Sequence, residues 1–207
     1  MPALVTAPDW RDALTAAAAA LTALSVVPYT VAIRRGTLRP QRTSWFVFAV
    51  LSTVATATQF ASGGGSGAWL SLGSAIGFAA VAALAVRAGV GGRAPGDVVT
   101  IGLTAASVTV WLATGRPLLG TAAVVVAELA AIVLTVRKEV AMPGSERPET
   151  WAIDAAAGVL ALAAVPAMTT GHVLYPLHHT LANGWVVATV AHSRRNLGPG
   201  ARRWRAA

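Results

Sequence analysis

The chemistry in this sequence sits in a few polar residues inside long apolar stretches. Glu128 lies within AVVVAELAAIVL, about eight residues from the end of its stretch, or roughly 12 Å along a helix. An acid inside an apolar span is functional by default, and such a carboxyl can bind and release a proton. A structural hydrogen bond to a neighbouring hydroxyl is the other role open to it. His179 and Asn183 are four residues apart, on one face of a helix. So are Ser52, Thr56 and Gln59, and likewise Thr22, Ser25 and Tyr29. Asn183, Gln59, His179, Ser25 and Thr56 are therefore candidate solute ligands, and Glu128 is the candidate proton carrier. The serines and threonines suit helix packing equally well. Asp154 is a second proton-coupling candidate. In the first turn of a helix starting near residue 150, it would also suit the helix dipole.

Other chemistries find no support. There is no cysteine, so disulfides and thiolate metal sites are excluded. His178 and His179 are adjacent and point to different faces, with no cluster around them, so no metal site is expected. His178 is expected to face lipid or a neighbouring helix. SGGGSG lacks the lysine and the strand of a phosphate loop. No nucleophile stands with a base, so neither an enzyme nor a cofactor is expected.

The elements that position these residues are set by hydropathy. Only 12% of residues are charged, against roughly 25% in a soluble domain, and the mean hydropathy is +0.62. Apolar runs of about 20 residues can span a bilayer as helices. Seven are expected, over residues 13–33, 44–61, 68–86, 97–114, 118–136, 150–169 and 172–192. The fold class is all-α, a membrane protein. The first run follows Asp9 and Asp12 rather than a basic segment, which argues against a signal peptide. Pro28, in its last third, removes one backbone donor and is the candidate hinge.

The net charge of +8 does not point to nucleic acid, because the basic residues sit in short clusters between apolar runs. With seven spans, 14 of the 16 Lys and Arg fall on one side, and only Arg11 and Arg116 on the other. The positive-inside rule then puts the N-terminus outside and the C-terminus in the cytoplasm of a multi-pass cell-membrane protein.

The sequence also repeats itself. PYTVAIRRGTLRPQRTSW, from Pro28 to Trp45, has a weaker copy in AIVLTVRKEVAMPGSERPETW, from Ala131 to Trp151. Arg34-Arg35 match Arg137-Lys138, and Trp45 matches Trp151, with three residues inserted in the second copy. Gly77 and Arg87 are spaced like Gly184 and Arg194. Residues 13–88 and 118–195 are thus expected to be two parallel three-helix repeats. A linker helix, 97–114, joins them between an extracellular segment 1–12 and a basic cytoplasmic tail 196–207. Under this match Glu128 corresponds to Ser25, so the two halves differ chemically.

A proline late in the first helix, a basic pair and a short polar turn, repeated in a 3+1+3 order, resemble the SWEET/SemiSWEET and PQ-loop transporter superfamily. Pro28-Tyr29 stands where that family has Pro-Gln, and Ala131 where the second proline would be. The resemblance implies alternating access between the repeats and a solute pocket near the midplane, with Asn183 at the place of the family's pocket asparagine. The expected function is transport of a small polar solute, a sugar or an amino acid, across the bilayer. Protons and a second copy of the chain are further possible partners. A non-transporting receptor or scaffold of the same fold is the alternative, and it predicts a dry interior.

Overall fold

The computed structural model describes residues 9–195. Most of the expected N-terminal segment and the tail 196–207 lie outside the described residues. All seven expected apolar stretches are helical. Helices α1 (Trp10–Ser25) and α2 (Val27–Arg34) form one span interrupted at Val26. Pro28, the candidate hinge, is in the first turn of α2. It has no N–H to give the carbonyl four residues back, so the ladder breaks there. The other helices are α3 (Arg42–Ala61), α4 (Ser66–Ala88), α5 (Pro95–Thr114), α6 (Pro117–Ala141), α7 (Pro148–Ala163) and α8 (Thr170–Arg195). Three of them begin on a proline, whose missing N–H is harmless at a first helical position. Gly63, Gly64 and Gly65 all have positive φ in the α3–α4 turn, a conformation that only glycine adopts without strain.

Two helix ends differ most from expectation. α6 continues to Ala141, because Lys138 and Glu139 in its last turns are buried and hydrogen-bonded rather than solvated. α7 stops at Ala163, six residues short of the expected 169, because Pro166 disfavours helical geometry at the residue before it.

Among the described residues five spans, with α1 and α2 counted as one, are long and apolar enough to cross a membrane. α7 has 16 residues, about 24 Å of helix, and α8 carries all four histidines of the chain. Large apolar side chains point outward around the bundle, among them Ile76, Val98, Leu112, Val159 and Leu181. A helix apolar all round is one that needs an apolar medium on its outer face.

The packing follows a regular plan. α4 lies against both α1 and α3, which do not touch one another. In the same way α8 lies against α6 and α7, which do not touch. α1 also meets α7, and α3 meets α6, closing the ring. α5 rests on α6 and α3 at the edge. Close approach depends on glycine at several places. A Cβ on Gly73 of α4 would run into the carbonyl oxygen of Ala19 in α1, and one on Gly158 of α7 would run into Thr180 Oγ1 in α8. At the centre, Trp45 and Trp151 pack with ring centroids 5.6 Å apart. Tyr29, Phe48 and Phe78 complete the aromatic core around Trp45.

Candidate functional site

The middle of the bundle holds a small cavity, about 20 Å³ of room for the centre of a water molecule. That is enough for about one water. Phe48, Phe78 and Trp151 form apolar walls, and Glu128, His178, His179 and Asn183 supply the polar lining. α6 contributes Glu128 and α8 the other three.

Two adjacent histidines on α8 address two carboxylates on different helices. His178 Nε2 is 2.9 Å from Glu128 Oε2, and Tyr175 donates a longer bond, 3.5 Å, to Glu128 Oε1. His179 Nε2 comes to 3.9 Å from Asp154 Oδ1 on α7, too long for a hydrogen bond. That oxygen instead accepts from Thr22 of α1 at 2.6 Å, and Thr22 is in turn 3.1 Å from Ser74 of α4. Consecutive helical residues diverge by about 100°, and α8 is wedged between α6 and α7, so each histidine meets one acid. Asp154 Oδ2, His179 Nε2 and Asn183 Oδ1 are buried without a hydrogen-bond partner. Most buried polar atoms are paired, so three orphans in one place mark a site.

The structure corrects the reading of Asp154. It is fully buried in the bundle, as Glu128 is nearly so, and it is not in a first turn, because α7 begins at Pro148. His178 takes the second of its two expected placements, against a neighbouring helix, where it bonds Glu128 of α6.

Of the candidate solute ligands, Asn183 and His179 reach the cavity and the others do not. Gln59 is buried towards the C-terminal end of α3, where it donates to Thr121 Oγ1 at 3.2 Å and to the Gly171 carbonyl at 3.3 Å. Thr56 bonds the Ser52 carbonyl and Ser71 Oγ at the α3–α4 contact. Ser25 turns back onto the Thr22 carbonyl at 2.8 Å, beside the break before Pro28.

Towards the other end of α6, a second polar cluster closes the bundle. The segment 142–147 between α6 and α7 turns Glu146 inward, while Met142 stays exposed. Glu139 fixes it by accepting from the backbone N–H of Gly144 at 2.6 Å and of Glu146 at 2.9 Å. Glu146 is fully buried. It pairs with Lys138 at 2.5 Å and accepts from Trp151 Nε1 at 3.1 Å and the Tyr29 hydroxyl at 3.2 Å. Trp45 Nε1 donates to that same hydroxyl at 3.1 Å. Burial raises the Glu146 carboxyl above the ordinary glutamate range, with Lys138 as the main opposing influence. Trp151 is shared, one side of it lining the cavity and its N–H holding Glu146. Sequence reasoning missed this plug, because RKEVAMPGSERPE stands out there only as a charged stretch between two apolar runs. The available signal was the unusual pairing of two glutamates with one lysine in the longer of the two repeated turns.

The chain matches no family model, and no curated protein or solved structure matches it. Functional argument therefore rests on the site.

Proposed function

We propose that this protein is a proton-linked membrane transporter for a small polar solute, working by alternating access between two three-helix repeats. The observation that carries the reading is the pair of carboxylate–histidine couples, Glu128 with His178 and Asp154 with His179, beside a small cavity. Ionisable groups inside a membrane mark ion and solute pathways, and chains of acids and histidines serve as proton relays. A scaffold gains nothing from two buried acids and three unpartnered polar atoms.

Several features support the repeat. α4 sits between α1 and α3 as α8 sits between α6 and α7, and the cross-contacts α1 to α7 and α3 to α6 are exchanged by the same two-fold relation. The tryptophans matched in sequence, Trp45 and Trp151, meet at the centre, where a two-fold axis would run. α5 has no counterpart, as a linker should not. The resemblance to SWEET and PQ-loop transporters fits this plan, and such repeats place the solute near the midplane between them. The division of basic residues supports a cell-membrane protein with its N-terminus outside. The plug around Glu146 would then close the cytoplasmic side of the cavity.

Labelled sugars, amino acids and simple amines should be tested for uptake into proteoliposomes, with and without a pH gradient. Glu128→Gln should abolish the gradient-driven component and leave solute exchange largely intact, because the amide resembles the protonated acid in shape. A variant that follows the gradient like the parent would assign Glu128 a structural role instead.

A further inference from the structure

We propose that the central cavity is a site for a small primary amine in its ammonium form, and that the amine exchanges with the proton carried by Glu128. The exchange step rests on the transport reading; the binding site does not. Asn183 Nδ2 donates to the His179 carbonyl at 2.7 Å. A backbone carbonyl can only accept, so the amide orientation is fixed. One amide N–H is thus used, and the acceptor oxygen of Asn183 has no partner although the residue is only 4% exposed.

The rest of the lining has the same character. Glu128 offers Oε1, held only by the 3.5 Å contact from Tyr175. Phe48, Phe78 and Trp151 offer ring faces, which attract cations. No lysine or arginine lines the cavity; Lys138 is paired with Glu146 beyond Trp151. A sugar ring is far larger than the one water that the cavity admits. An amino acid would leave its carboxylate beside Glu128 with no cation to receive it. An ammonium group satisfies the acceptors and supplies the missing charge, and its head is about the size of the one water that the cavity admits.

The exchange follows from the lining. The titratable groups facing Glu128 are His178, Tyr175 and His179, all from α8. Phe48 of α3, Phe78 of α4 and Trp151 of α7, which complete the facing walls, do not titrate. With no lysine or arginine in the lining, the carboxyl is balanced by a proton or by a cationic solute. An entering ammonium ion takes the place of the proton on the Glu128 carboxyl, which passes to water, with no other bond made or broken.

The test uses the full chain in detergent micelles and in proteoliposomes, with methylammonium as the probe and potassium chloride to match ionic strength. Calorimetry should detect methylammonium binding, and neither glucose nor glycine should compete with it. Asn183→Leu should weaken the binding about tenfold or more, as expected for a lost hydrogen bond to a charged group. Asn183→Asp, which restores an acceptor, should retain it. In proteoliposomes, a methylammonium gradient should drive protons the opposite way, one for one. Competition by glucose or glycine, or binding that Asn183→Leu leaves unchanged, overturns the amine site. Methylammonium binding with no flux of any solute overturns the transport reading and leaves the amine site standing. Flux of methylammonium without counter-movement of protons overturns the exchange.

Discussion

Replacing Lys138 with methionine tests the plug. The side chains of Lys138 and Glu146 are 4% and 0% exposed, and their charged atoms are 2.5 Å apart. An exposed ion pair contributes only about 0.2–1 kcal/mol, but breaking a buried pair costs about 3–5 kcal/mol, because the remaining charge has no partner. Methionine keeps the apolar stem and removes only the ammonium group, with its bonds to the Arg39 and Ser145 carbonyls. Trp151 and Tyr29 still donate to Glu146, so a loss near the lower end, about 3 kcal/mol, is expected at neutral pH. The loss should depend on pH. Because burial raises the Glu146 carboxyl, the folded chain binds that proton more tightly than the unfolded chain. Its contribution to stability is fully present below the ordinary glutamate pKa, about 4.3, and is lost as pH rises through the raised folded value. Without Lys138 that value moves higher still. Unfolding by sodium dodecyl sulfate in mixed micelles should therefore show a larger deficit at about pH 8 than at about pH 5. Adding Glu146→Gln should recover most of it, since the double variant buries no charge. A deficit below about 1 kcal/mol, equal at both pH values, would refute the buried ion pair as what holds the plug.

Thr22→Val should cost about 1.5–3 kcal/mol in the same unfolding assay, because it removes the 2.6 Å bond to Asp154 and leaves both carboxyl oxygens unpaired. Gly73→Ala should destabilise by about 1–3 kcal/mol through overpacking against the Ala19 backbone. Gly184→Ala has nothing within 4 Å of its new methyl group and should stabilise α8 by about 0.5–1 kcal/mol. Cysteine placed at Thr114 should react with an impermeant maleimide added outside cells, and cysteine at the exposed Thr37 only after permeabilisation; the reverse would invert the proposed orientation.

The helices were legible because each depends on local chemistry. Apolar runs of sufficient length, a proline at the starts of α5, α6 and α7, and the glycine run between α3 and α4 fix most ends without reference to the rest of the chain. The same reading located Glu128, since an acid in an apolar run is conspicuous, and placed His179 and Asn183 on one face. Sequence could not say which acid meets which histidine. That depends on α8 being wedged between α6 and α7, and helical spacing alone left His178 facing either lipid or a neighbouring helix. Asp154 looked like a helix-terminal carboxylate until Thr22, 132 residues earlier in the chain, was brought to bond it. Glu146 is the clearest case. By composition its loop belongs in water, and only the assembled helices provide Lys138, Trp151 and Tyr29 at hydrogen-bonding distance to compensate its burial. Local sequence fixes where a chain forms helix because the competing energies lie within a few turns. The partners of a buried charge are fixed by packing, because they come from elements that meet only when the bundle closes.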